Sequence, residues 1–112
     1  MIELESDFKK FLNDNFEFVE SIFEGAVVIY SSRNLKLRIV RDRNTKLYMS
    51  ISTLENPQTP SDWIIVCDLR SYILDNDDYL KEIDFHEVST FFQENYKNIL
   101  SLLNTKYDNV RN

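Results

Sequence analysis

The sequence predicts a single α+β domain in which an antiparallel β-meander of three to five strands carries an N-terminal helix and one or two C-terminal helices on one face. Two neighbouring segments in the middle of the chain alternate apolar and polar residues, as strands do. A continuous apolar run precedes them, and both ends of the chain carry apolar residues at helical spacing. A chain of 112 residues has the size of one domain, residues 1–112, with no room for a second independent core.

The N-terminal helix is predicted over about residues 5–13, with Ser6 or Asp7 as the N-cap. Its apolar residues recur at helical spacing: Leu4, Phe8, Phe11 and Leu12. It should end at the polar cluster of residues 13–15, because short polar side chains compete for backbone hydrogen bonds. The next segment, FEFVESIF at residues 16–23, alternates before it loses phase, so a strand is favoured over a helical turn.

The central strands give the clearest pattern. The run AVVIYSS at residues 26–32 is rich in β-branched residues and follows the turn residue Gly25, which is typical of a central strand. The segments LKLRIV and KLYMSIS, at residues 35–40 and 46–52, each alternate with a period of two and are separated by a short polar loop. They predict an antiparallel hairpin, and with the preceding strand a meander of three, with one face in the core and one facing water.

The segments after the meander are less uniform. Residues 55–62 hold both prolines and are predicted to be a loop. Residues 64–67 could form a short strand, whereas Trp63, Val66, Arg70 and Ile73 have helical spacing. Asp68 could cap a helix that ends at Leu74.

Residues 75–78 (DNDD) should be a solvated corner before a helical turn at Tyr79 and Leu80. The last helix should begin after Asp84, with Glu87 completing a pair that resembles a capping box, and run to about Asn104. Its apolar stripe has steps of three and four: Phe85, Val88, Phe92, Tyr96, Ile99 and Leu103.

The composition is that of a globular protein without export or membrane signals. Hydrophobic residues make up 43% and aromatic residues 13%, so the chain should bury a core. No stretch approaches the roughly 20 apolar residues that span a bilayer, and the N-terminus lacks the basic start and apolar run of a secretory signal. We therefore expect a cytoplasmic protein that binds no membrane.

No residue pattern predicts a catalytic, metal-binding or cofactor-binding site. With His86 as the only histidine and Cys67 as the only cysteine, the chain cannot build a Ser-His-Asp triad, a cysteine-based zinc cluster or an internal disulfide. A single glycine excludes a phosphate-binding loop, and residues 75–78 lack the spacing of a calcium loop. We expect His86 to be an exposed structural residue, Cys67 a small buried one and Asp68 a helix cap, in a protein that is not an enzyme.

The charge distribution gives one candidate binding surface. Residues 33–46 hold six basic residues against Asp42 alone, a net +5, which leaves −11 for the remainder of a chain of net charge −6. One interpretation is a solvated strand face whose charges are matched by Glu17, Glu20 or the acidic residues between 75 and 94. The other is a recognition face for an anionic partner, with a tyrosine as anchor among arginines. Its residues would be Lys36, Arg38, Arg41, Arg43, Lys46 and Tyr48.

The succession AVVIYSS, LKLRIVRDR, a third strand, WIIVCDLRSYI and FFQENYKNILSLL, from about Val27 to Leu103, resembles small bacterial proteins of this size. Several of those are immunity proteins encoded beside polymorphic toxins. The resemblance implies a protein partner, such as a toxin domain that the chain would neutralise. The alternative is a small nucleic-acid-associated or regulatory protein that uses the basic hairpin 33–46, and a homodimer also remains open.

Overall fold

A five-stranded antiparallel sheet forms the centre of the structure, a computed structural model that describes residues 2–74 and 83–103. The strands lie side by side in sequence order, so the predicted meander is confirmed and has five strands. The elements are α1 (Ser6–Asn15), β1 (Glu17–Ile22), β2 (Val27–Ser31), β3 (Lys36–Arg41), β4 (Leu47–Ser52), β5 (Ile64–Ile65), α2 (Val66–Leu74), α3 (Phe85–Glu94) and α4 (Tyr96–Leu102), with a 3-10 turn at Pro60–Asp62 before β5.

The helices pack on one face of the sheet, here called the inner face, and the α+β prediction is confirmed. The alternating apolar residues of β3 and β4 point into this core as expected, and they are buried: Leu37, Ile39, Met49 and Ile51. Helical side chains close the core from the other side: Phe8, Leu12, Val66, Val88, Phe92 and Ile99. Because a slip of one residue would turn these side chains to the opposite face, the apolar alternation fixes the strand register.

The register also aligns the residues of the opposite, outer face. Arg38 pairs with Ser50, and Lys36 pairs with Ser52, one step to either side of the buried pair Leu37 and Ile51. The pairing continues across the sheet, because Ile29 lies opposite Arg38 on β2. The outer face is therefore made of rows that run across neighbouring strands.

The ends of α1 differ from the prediction. Glu5 occupies the N-cap position without a side-chain hydrogen bond, so the expected cap by Ser6 or Asp7 is wrong. The helix ends two residues later than residues 5–13 suggested, and the Asn15 side-chain amide donates a hydrogen bond to the Phe11 carbonyl at 2.8 Å. The segment 16–23, favoured as a strand, contains β1.

The segment after the prolines forms both of the predicted structures, first a short strand and then a helix. A two-residue strand, β5, is followed directly by α2, which starts at Val66. Asp68 therefore lies inside the first turn of α2, and the prediction that it caps the helix is wrong.

The last helix is capped as predicted but is not continuous. The Asp84 carboxylate accepts a hydrogen bond from the Glu87 backbone N–H at 2.9 Å. At Asn95 the chain leaves the helical conformation, and the Asn95 side-chain amide donates to the Phe91 carbonyl at 3.0 Å. The Asn95 backbone N–H donates to the same carbonyl at 3.0 Å, which closes α3, and the Asn95 carbonyl accepts from the Ile99 N–H at 2.8 Å in the first turn of α4. The predicted corner at residues 75–78, the turn at Tyr79 and Leu80, and Asn104 lie outside the described residues.

Candidate functional site

Five of the six residues predicted to bind a partner occupy two adjoining places. Lys36, Arg38 and Tyr48 belong to the outer face of the sheet, in rows beside one another. Arg41 is the last residue of β3, and Arg43 and Lys46 lie in the turn that leads into β4. The strand alternation therefore brings together the first three as expected, and Arg43 and Lys46 lie in the turn at one end of the same surface. Arg41 alternates with Leu37 and Ile39 and lies opposite Leu47, so the register places it on the inner side of the sheet, apart from the other five.

Arg38 is fixed by a tryptophan that the sequence did not connect with it. Its guanidinium carbon lies 4.3 Å from the centre of the Trp63 ring, a cation–π contact. Both side chains are half-buried, and burial lowers the pKa of Arg38 without removing its charge at neutral pH. The Nε atom of Arg38 is buried and has no hydrogen-bond partner among the described residues. Arg38 is therefore held by stacking, in one orientation on the outer face.

The single acid of the basic hairpin, Asp42, organises the turn. One of its carboxylate oxygens accepts hydrogen bonds from the backbone N–H groups of Asn44 and Lys46, both at 2.9 Å. The other accepts a hydrogen bond from the Tyr48 hydroxyl at 3.2 Å. Thr45 takes a left-handed conformation with φ 65° to complete the turn. An aspartate two residues before an asparagine in a polar loop is the sequence signal for such a turn.

Tyr48 links this turn to the outer face. It is 48% exposed, and its hydrogen bond to Asp42 is the largest of the effects that raise its pKa, followed by burial and by the negative charge of Asp42. The hydroxyl is therefore protonated at neutral pH and held on one side, while about half of the side chain faces solvent. This is the arrangement of an amphipathic anchor.

Three of the basic residues, Lys36, Arg38 and Arg43, are not paired with an acidic side chain among the described residues. The register places Glu17 in the row of Lys36 and Glu20 in the row of Arg38, in each case two strands away. Two strand spacings amount to about 10 Å, so Glu17 and Glu20 border Lys36 and Arg38 without forming ion pairs with them.

The side chains with groups that could take part in catalysis make structural contacts instead. His86 is exposed and its Nδ1 atom lies 2.9 Å from both carboxylate oxygens of Glu5, which ties the start of α3 to the start of α1. Over the described part of the chain, no group of three or more His, Cys, Asp or Glu side chains could hold a metal ion.

A cleft of about 720 Å³ lies between β4, β5 and the start of α3, lined mainly by apolar side chains such as Met49, Phe85 and Val88. Cys67 and Tyr48 also line it. Burial is the main cause that raises the pKa of Cys67, and the pKa of Tyr48 is raised as well. Both groups are therefore protonated at neutral pH, and neither is activated as a nucleophile.

Comparison of the chain with models of protein families, with curated proteins and with solved structures finds no match. Among the described helices, none combines the length and the apolar character needed to cross a membrane.

Proposed function

We propose that this protein is not an enzyme and that it binds a protein partner through its outer face, as an immunity protein binds and neutralises a toxin domain. The observation that carries the proposal is the grouping of Arg38, stacked on Trp63, with the half-exposed Tyr48 on one sheet face. Arginine, tryptophan and tyrosine are the residues most enriched at the energetic centres of protein interfaces.

The fixed geometry of these side chains supports the proposal. The Trp63 ring restrains Arg38, and the Asp42 carboxylate restrains Tyr48. Side chains that are already ordered lose less conformational entropy when a partner binds. The outer face is therefore organised before any partner arrives.

The charge of the adjoining turn indicates the chemistry of the partner. The turn adds Arg43 and Lys46, both exposed, to the basic outer face. A surface of this sign attracts an acidic patch on a partner and accelerates association at low salt. The partner would thus present carboxylates around a central apolar contact.

Co-expression tests this proposal. The protein is expressed together with the product of an adjacent toxin-like reading frame from its own genome, and growth is measured with and without it. The proposal expects growth to be restored by the wild-type chain and lost again with the double variant Lys36→Glu, Arg43→Glu. A matched double variant on exposed lysines of the helices, Lys10→Glu and Lys97→Glu, changes the net charge equally and should still protect. Growth that is not restored by the wild-type chain contradicts immunity.

The basic hairpin also leaves nucleic acid as an alternative partner. That interpretation expects retention on DNA or heparin that falls steeply as salt rises, because released counterions drive such binding. The net charge of −6 opposes it, since the remainder of the chain repels phosphates. Elution of the wild-type chain from heparin at low salt would favour the protein partner.

A further inference from the structure

Strand β1 is an edge strand that buries almost none of its own side chains. It is the first strand in the sheet order, and among residues 2–74 and 83–103 it pairs on one side only, with β2. Each residue from Glu17 to Ser21 is exposed, and Ile22 is only partly buried. An edge strand presents backbone N–H and C=O groups that can pair with another chain. The apolar side chains of β1 therefore contribute little to the core that the helices and the other strands build.

Large apolar side chains remain exposed along this edge. Phe18 is 58% exposed, Val19 48% and Phe23, in the turn that follows, 76%. A fully enclosed phenylalanine buries about 150–250 Å², so the exposed parts of Phe18 and Phe23 amount to roughly 200–330 Å². The two rings lie near the start and at the end of β1, where a strand added to this edge would contact them.

The turn after β1 also carries backbone strain. Phe23 and Glu24 both have left-handed backbone conformations, with φ of 53° and 57°, before Gly25 at 87°. This conformation costs roughly 1–2 kcal/mol for a residue other than glycine. These conformations form the tight turn that joins β1 to β2, and the Phe23 ring lies exposed on this turn at the end of the edge strand.

A β-bulge at Val19 determines which side chains of β1 lie on each side of the sheet. Phe18 pairs with Tyr30 and Glu20 with Ile29, so the bulge places Phe18 on the inner side and Glu20 on the outer side. Glu17, opposite Ser31, also lies on the outer side. Between Lys10 and Arg33 the chain has four acidic residues and no basic one. Over residues 17–20 the edge is therefore acidic on its outer side and aromatic on its inner side, whereas Ser21 continues the inner side and Ile22 the outer side.

We propose that β1 is a second binding surface, which accepts an extended segment of a partner protein as an added β-strand with basic side chains on its outer side and apolar side chains on its inner side. The bulge sets Glu17 and Glu20 two register positions apart on β2, which matches basic residues at i and i+2 of the added strand. A second copy of this chain fits poorly, since two such edges would bring their carboxylates together. Strand addition uses the unpaired backbone of β1 for affinity and its side chains for specificity.

Titration of the isolated protein with a short peptide tests this inference. The probe is an acetylated and amidated eight-residue peptide that alternates lysine and valine, and its affinity is measured at physiological salt. Binding should weaken at least tenfold with Glu17→Lys, Glu20→Lys and less than threefold with the matched control Glu3→Lys, Glu55→Lys, two exposed positions elsewhere. It should be lost when every second amide of the peptide is N-methylated, because the methyl groups block the ladder of hydrogen bonds.

Hydrogen exchange gives the second readout. Peptide binding should protect the backbone amides of residues 17–22. Binding that survives N-methylation, or that leaves these amides unprotected, overturns strand addition, as does a failure of the peptide to bind. The wild-type chain could instead form a dimer that Glu17→Lys, Glu20→Lys dissociates. In that case the strand bound at β1 is a second copy of this chain, and the proposal of a basic partner protein is overturned. The proposed function at the outer face has its own variants, so either proposal can fail without the other.

Discussion

The contact between Arg38 and Trp63 should contribute measurable coupling energy to folding. The guanidinium lies 4.3 Å from the ring centre, well within the distance at which the ring attracts a cation. Such pairs are worth about 0.5–1 kcal/mol at exposed sites and about 2 kcal/mol when desolvated. Since both side chains are half-buried, we expect a coupling of about 1 kcal/mol.

A double-mutant cycle measures this coupling. Arg38→Met keeps the apolar stem and removes the charge, and Trp63→Leu removes the ring; the two single variants, the double variant and the wild type are unfolded in urea. The losses of unfolding free energy in the two single variants should add up to about 1 kcal/mol more than the loss in the double variant. Arg43, exposed in the turn, supplies the control cycle with Trp63 and should show no coupling. A coupling energy below about 0.3 kcal/mol between Arg38 and Trp63 would show that the two side chains lie close together without a stabilising attraction.

Three further predictions concern the turn, the core and the exposed edge. Asp42→Ala should lower the raised pKa of Tyr48 towards its ordinary value, as read from the tyrosine absorbance titration after subtracting the titration of Tyr48→Phe. In the wild type, the stability that the hydrogen bond between Tyr48 and Asp42 contributes should be present below about pH 10 and fall as the pH rises through the raised pKa of Tyr48. Phe92→Ala, at a fully buried ring, should cost about 3–5 kcal/mol in urea unfolding, whereas Phe18→Ala, which removes an edge-to-face contact with Tyr30 at 5.8 Å between ring centres, should cost about 0.5–1.5 kcal/mol; similar losses for the two would contradict the assignment of Phe18 to a contact surface. Thr45→Gly should stabilise the protein by up to about 1 kcal/mol, because glycine takes φ 65° without strain, and a loss of stability would show that the Thr45 side chain supports the turn.

The central strands could be predicted because their pattern is local and repeats every two residues. Leu37, Ile39, Met49 and Ile51 must reach the core, and this alone fixes which residues face outward. The placement of Lys36, Arg38 and Tyr48 on one face follows from the same alternation. The pattern does not determine the neighbours that each of these side chains meets.

The features that escaped prediction depend on contacts between distant residues or on the backbone of a single residue. Trp63 reaches Arg38 from the far end of a loop that contains both prolines, and the pattern around either residue gives no sign of the other. The apolar stripe runs on past Asn95 without a gap, yet the backbone of Asn95 leaves the helical conformation and its side-chain amide shares the Phe91 carbonyl with its own backbone N–H. The exposure of β1 depends on which elements pack against it, so the alternation in FEFVESIF could indicate a strand but not an uncovered one.

Direct binding between this protein and a toxin-like protein encoded beside its gene tests the central claim most directly. Calorimetric titration at low and physiological salt should give a 1:1 complex that weakens with salt. Affinity should fall at least tenfold with Lys36→Glu, Arg43→Glu and stay within threefold of the wild type with Lys10→Glu, Lys97→Glu. Equal affinities for the wild type and both variants would contradict binding through the outer face.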